Sequence, residues 1–249
     1  DRAGFPEGKH GDQLGEIVAM DRSVGQLRQG LRDLGIEDRT LLWFTSDNGG
    51  LEIDPDSVGI LRGNKGSLYE GGIRVPAIIE WPGAVAPRIT DYPASTMDIL
   101  PTLVDLLELP EDALLPVTDG RSLRPLLNGE SPTTPHLIPF TTKGLALIEG
   151  RFKLIQVGRG VSAPWELYDL ETDPGERVDV SLTYPERYAT MRGAMVDILD
   201  SVHASAHGHD YPEGRRLLEP TTESWFEMES YQRLYERFIE LKPSWKAPR

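Results

Sequence analysis

The chain of 249 residues is 39% hydrophobic and 27% charged, carries a formal net charge of −14 and contains no cysteine. That length suits one large domain, or a domain with a smaller companion, and the composition excludes wholesale disorder. The acidic surface opposes phosphate backbones and anionic lipid, no apolar run approaches the roughly 18–20 residues that span a bilayer, and the lack of cysteine removes disulfides, thiol nucleophiles and thiolate zinc sites. Neither a nucleic-acid partner nor a membrane span is therefore expected. The sequence opens at Asp1 without a methionine, in a loop-like stretch holding Gly4, Pro6 and Gly8, and no stretch reads as a secretory signal. A fragment or a processed chain is the expectation.

The apolar positions Leu14, Ile17, Val18, Val24, Leu27, Leu31 and Leu34 follow three-and-four spacing and predict an amphipathic helix over Asp12–Leu34 with one buried stripe. Asp12 is its expected N-cap and Gly35 its C-terminal glycine. Thr40–Thr45 and Val75–Trp81 read as buried strands, the first as a parallel strand delivering groups to the carboxyl edge of a sheet. Thr96–Leu109 predicts a helix with Ile99, Leu100, Leu103, Leu106 and Leu107 as its core face. Proline and turn residues dominate from Pro110 to Pro139, and a domain boundary is expected near 129–135, giving regions 1–130 and 131–249. Beyond it, Gly144–Glu149 and Phe152–Val157 flank Gly150-Arg151 as a hairpin. A third strand over Glu166–Leu170, a turn at Asp173–Glu176 and helices over Pro185–Val202 and Trp225–Leu241 follow. The expected layout is α/β, with a small C-terminal antiparallel sheet and a helix.

Two segments carry chemistry. The apolar run Leu41-Leu42-Trp43-Phe44 ends abruptly in Thr45-Ser46-Asp47-Asn48-Gly49, and 17 residues after Asn48 stands Lys65, in the glycine-dense stretch Gly63-Asn64-Lys65-Gly66 through Glu70-Gly71-Gly72-Ile73-Arg74-Val75-Pro76. A carboxylate beside an amide oxygen suits Ca²⁺ or Mg²⁺ better than a soft metal, although two donors leave most of such an ion's shell to other groups. Asp-Asn-Gly is by itself a common turn signal. Lys65 alone reads as a solvated lysine; bare glycine backbone around it lets a ligand approach closely. Glu70 and Arg74 are expected to support that loop. His10, just before the first helix, is a further candidate for substrate contact, weighed against a plain surface histidine. His203 and His207 stand one helical turn apart, a spacing that can bind zinc, but Gly208 is expected to end the helix there.

Taken in order from Gly11 to Val180, these segments resemble the formylglycine-dependent, arylsulfatase-like sulfatases of the alkaline phosphatase superfamily. The resemblance runs through Gly11–Gly25, Phe44–Gly49, Lys65–Pro76, Trp81-Pro82-Gly83, Met97–Thr102 and Leu167–Leu170 with Asp173–Glu176. It implies part of an alkaline-phosphatase-like mixed-sheet sandwich and the hydrolysis of sulfate esters, with sulfated carbohydrates a substrate class. It also implies that Asp47 and Asn48 ligate Ca²⁺, with Mg²⁺ as second choice, that Lys65 contacts a sulfate oxygen, and that the location is periplasmic or extracellular.

The departures matter as much. The family makes its formylglycine from cysteine or serine in a Cys/Ser-x-Pro/Ala-x-Arg motif; Ser95-Thr96-Met97, Ser122-Leu123-Arg124 and Ser162-Ala163-Pro164 all fail that pattern. The family's aspartate pair and active-site histidines are likewise not found. The expectation is the C-terminal portion of a sulfatase, inactive without an N-terminal half that carries the formylglycine, with a separate chain as one form of that half. The alternatives are a non-catalytic anion-binding or scaffold relative, and a phosphate or phosphonate ester hydrolase on the same fold.

Overall fold

Helix α1 (Lys9–Asp33) leads, by way of the αL glycine Gly35, to strand β1 (Leu42–Thr45). The computed structural model describes residues 7–53, 57–115, 117–130, 132, 136–141, 144–158, 162–210 and 229–241. After β1 come the short helix α2 (Glu70–Ile73), strand β2 (Ala77–Glu80), helix α3 (Ile99–Leu106) and the short helix α4 (Arg124–Leu127). Strands β3 (Leu137–Phe140), β4 (Ala146–Glu149), β5 (Phe152–Gln156) and β6 (Trp165–Asp169) then precede helices α5 (Pro185–Ala206) and α6 (Gln232–Leu241). The chain divides into two compact units, Asp1–Val202 and His203–Arg249. The first holds every strand among the described residues.

The four-stranded sheet, ordered β3-β4-β5-β6, is antiparallel throughout, with Leu147 opposite Leu154 and Leu154 opposite Leu167. Alternation along the strands sends Leu147, Leu154 and Leu167 to one face, where they pack with Met191 and Met195 of α5. The other face carries Ala146, Ile155 and Tyr168, packed against Leu68 and Tyr69 of the lysine-bearing loop. The hairpin expected around Gly150-Arg151 is present, with Gly150 at φ 59°. Strand β3 lies where the sequence predicts only turns. It is an edge strand, which is where a sheet tolerates Pro139.

Four expectations need correction. Strand β1 pairs antiparallel with β2, Trp43 opposite Ile79, and among the described residues no parallel neighbour lies beside it. Neither strand is buried: β1 is half-buried throughout and Ile78 is 62% exposed, because this pair has no second layer over it among the described residues. Helix α1 begins at Lys9 with Gly8 as N-cap, placing Asp12 in the first turn, and its apolar stripe is not a core: Ile17, Leu27 and Leu34 are exposed. Its C-terminus does follow expectation, since Gly35 N–H donates to Arg32 O and Ile36 N–H to Leu31 O, the two bonds of a Schellman motif.

The fourth correction concerns α3. It buries Pro101, Thr102 and Val104 and leaves Leu100 and Leu107 exposed. Polar bonds decide which face turns inward. The Asp98 carboxylate, fully buried, accepts from Ser95 N–H, Arg121 N–H and the buried His136 imidazole at 2.7–2.8 Å. Thr102 Oγ1 donates to Asp98 O and accepts from Leu123 N–H. Burying these groups without such partners would cost more than burying two leucines would gain.

Candidate functional site

Strand β1 ends at Thr45, and the chain turns at once: Ser46 Oγ donates to Asn48 O at 2.9 Å. Asp47 is exposed, Asn48 half-buried and Gly49 buried. The lysine loop docks directly on this strand end by backbone hydrogen bonds. Gly49 N–H donates to Gly72 O at 2.9 Å, and Lys65 N–H donates to Gly50 O at 2.7 Å. The sequence-predicted metal-ligating pair and the predicted anion-binding lysine are therefore brought together by the bonds that immediately follow Asn48 and include Lys65 itself. The Lys65 side chain is exposed.

Glycine is required for this approach. A Cβ on Gly49 would collide with Gly71 O, one on Gly71 with Gly63 O, and one on Gly72 with Ser67 O. Within the loop Gly63 and Gly66 adopt φ 72° and 95°, Ser67 N–H bonds Asn64 O, and Gly71 N–H closes the mouth onto Arg62 O at 2.7 Å.

Glu70, in α2 at the loop's end, is buried, and its Oε1 accepts from Lys153 Nζ at 2.8 Å. Arg74 is half-exposed and stands 4.0 Å from Glu70 Oε2. Lys153 is fully buried on the loop-facing side of β5, and Glu176 Oε1 lies 2.8 Å from the same ammonium. Glu176 Oε2 accepts from Glu70 N–H at 2.6 Å, and Glu176 O accepts from Arg62 Nη1 at 2.9 Å. Burial pushes the Glu176 carboxyl above its ordinary range, against the pull of Lys153. The Arg62 guanidinium also bonds Tyr168 Oη and covers the Tyr69 ring at 3.9 Å. Sequence reading misses Lys153, Glu176 and Arg62. The available signal was a lysine between Phe152 and Leu154 in a buried strand, which demands a carboxylate partner.

His10 sits in the first turn of α1, half-buried, and its buried Nδ1 has no hydrogen-bond partner among the described residues. His203 and His207 stack at 4.4 Å between ring centroids, but His207 Nδ1 is bonded to His203 O at 2.7 Å and α5 stops at Ala206. Among the described residues no group of three or more His, Asp or Glu side chains is arranged to hold a metal. Asp47 and Asn48 thus fit a hard cation in donor chemistry while filling only part of its shell.

The α/β scaffold thus lays a glycine-rich loop bearing a lysine on a strand end that carries a carboxylate and an amide. The model of the family described as Sulfatase matches residues 3–109, and that described as N-sulphoglucosamine sulphohydrolase, C-terminal, matches residues 63–204, more than half of the chain. The chain belongs to the sulfatases of the alkaline phosphatase superfamily. It is 31% identical to the steryl-sulfatase of Mus musculus over 81% of this chain and 37% of that protein. Among solved structures, Ps i-CgsB in complex with k-i-k-neocarrahexaose aligns over 97% of this chain and 51% of its own, with 26% identity and TM-score 0.68. The phosphonate monoester hydrolase of Agrobacterium radiobacter aligns over 76% of this chain and 40% of its own, with 28% identity and TM-score 0.53. These neighbours establish the alkaline-phosphatase-like fold. The chain spans 23% to 39% of the length of eight of the curated relatives it matches.

Proposed function

We propose that this chain is the C-terminal portion of a sulfuric ester hydrolase, contributing two ligands of the metal and the sulfate-binding lysine. The observation that carries the reading is the pair of backbone bonds joining Gly49 and Gly50 to Gly72 and Lys65, immediately after Asp47 and Asn48. Asp47 and Asn48 would hold a calcium ion, with magnesium the second choice. Such an ion, when bound, neutralises charge on the sulfuryl oxygens. The Lys65 ammonium donates to a sulfuryl oxygen and to the leaving alcohol oxygen as negative charge collects there, so it stabilises the transition state more than the bound ester. The chain's net charge of −14 makes this one local cation matter more. His10 lines the substrate side, while Glu70 and Arg74 support the loop.

The nucleophile, a formylglycine, belongs to an N-terminal half, carried on a separate chain in the split form of the enzyme. The exposed apolar side chains Ile17, Met20, Leu27 and Ile78 offer surface for that half to cover. A sulfated carbohydrate is the substrate class, a reading supported by the likeness to a protein solved with an oligosaccharide. A periplasmic or extracellular location accompanies it. The likeness to a phosphonate monoester hydrolase favours a second reading, phosphate or phosphonate ester hydrolysis on the same frame. A third, a non-catalytic anion-binding module, is what remains if no complementing half exists.

The test is complementation. The pure 249-residue chain should release no sulfate from an aryl sulfate, and addition of a formylglycine-bearing N-terminal half should give calcium-stimulated release that Lys65→Ala abolishes. Turnover by the isolated chain overturns the division of labour. Faster release of phosphonate than of sulfate by the complemented enzyme selects the second reading.

A further inference from the structure

The loop that presents Lys65 is gripped from below at two points, and one residue outside it makes both grips. Glu176, in the turn after β6, accepts Glu70 N–H on its carboxylate at 2.6 Å and Arg62 Nη1 on its carbonyl at 2.9 Å. Arg62 and Glu70 bracket Lys65. They are brought together again by Gly71 N–H bonding Arg62 O at 2.7 Å and by Arg62 stacking over Tyr69. Glu176 holds φ 51°, the left-handed conformation that non-glycine residues seldom adopt. Its side chain is fully buried beside the fully buried ammonium of Lys153, which also bonds Glu70. An apolar pair of similar volume would serve stability as well as a buried ion cluster does. What directional bonds add is a fixed register between the loop and the sheet beneath it.

We propose that Glu176, with Lys153 as its counter-ion, is a positioning residue for the Lys65 loop, setting from the four-stranded sheet the place of that loop on the Asp47–Asn48 strand end. Removing the carboxylate frees the Glu70 amide, lets α2 shift, and loosens the bonds from Gly72 and Lys65 to Gly49 and Gly50. The claim on loop order stands by itself; only its consequence for sulfate rests on the reading of Lys65 given above.

Two variants test it in the 249-residue chain. Glu176→Asn keeps a residue that accepts the left-handed backbone but is too short to reach Glu70; Glu176→Gln keeps an acceptor at that distance. Amide hydrogen exchange by NMR should run about tenfold faster at Gly49, Lys65 and Gly71 in the Asn variant, with Leu147 and Leu154 in the sheet unchanged, and near wild type in the Gln variant. Unchanged loop exchange in the Asn variant overturns the proposal, as does equal acceleration of loop and sheet. Titration with inorganic sulfate, followed at the Lys65 amide, should show about tenfold weaker binding in the Asn variant, rescue in the Gln variant and loss in Lys65→Ala. If the wild-type chain ignores sulfate, the assignment of Lys65 fails, while the exchange rates still decide the role of Glu176.

Discussion

The four-stranded and the two-stranded sheets are written in similarly apolar sequence, but among the described residues only the first is covered on both faces. Strands β4, β5 and β6 send Leu147, Leu154 and Leu167 into α5 and Ala146, Ile155 and Tyr168 into the lysine loop. Strand β1, with Leu42, Trp43 and Phe44 in sequence, is only partly buried, and helix α1 leaves Ile17, Met20 and Leu27 at 47–49% exposure. An apolar pattern reports what an element is able to bury; whether the same chain supplies the partner is a separate matter. The candidate site lies where the two regions meet, its strand end from the open sheet and its loop seated on the closed one.

The most damaging change to the closed region is Lys153→Met. It leaves Glu70 and Glu176 buried together without their cation, and the expected loss is about 3–5 kcal/mol in urea unfolding. A loss under about 1 kcal/mol would mean that the cluster is hydrated in solution and contributes little.

Core truncation sharpens the contrast between regions. Leu154→Ala, at a fully buried position, is expected to cost about 2–5 kcal/mol. Ile17→Ala and Leu27→Ala, on the exposed face of α1, should each fall within about 0.5 kcal/mol of wild type. Equal effects at the two places, read as thermal midpoints of the single chain, would erase the distinction. If the single chain pairs with an N-terminal half, the α1 variants should weaken that association instead.

Gly49→Ala probes the seam itself. The added methyl would strike Gly71 O, which is backbone and cannot step aside, so a cost of about 1–3 kcal/mol is expected. Gly25→Ala, at an open helical position, should be neutral or stabilising, by up to about 1 kcal/mol. Crystal structures or amide shifts of the Gly49 variant should show the loop displaced from the strand end.

Elements whose signal is local were readable from the residues. The hairpin at Gly150, the end of α1 at Gly35 and the start of α5 at Pro185 all depend on neighbours within a few positions. The docking of the lysine loop on the strand end rests on bare backbone at Gly49, Gly71 and Gly72, whereas the glycines around Lys65 read in sequence only as room for a ligand, and the two segments were joined there through the family resemblance. What escaped was set by distant partners. The direction of β1 depends on β2, some 30 residues later, and an apolar run of four does not distinguish parallel from antiparallel neighbours. The inward face of α3 follows from hydrogen bonds that Asp98 makes with Arg121 and His136, which outrank leucine spacing. The Lys153–Glu70–Glu176 cluster joins three segments, and no local pattern in any one of them announces it.

The smallest expected effect is in the slope of stability with pH, where two buried carboxylates should pull in opposite directions. Burial raises the Asp98 carboxyl, but the bonds from His136, Arg121 N–H and Ser95 N–H outweigh that and hold it below its ordinary range. Its folded value thus lies under its unfolded one, so its contribution is complete above the unfolded value and is lost as pH falls through the folded value. Glu176 is raised, mainly by burial, so its contribution is complete below the unfolded value and is lost as pH rises through the folded one. Urea unfolding across the acid range should therefore show the deficit of Asp98→Asn shrinking as pH falls. Glu176→Gln should compare best with wild type at the upper end of the range and lose ground as pH falls. Slopes of the same sign in both variants would mean that Lys153, rather than burial, governs Glu176.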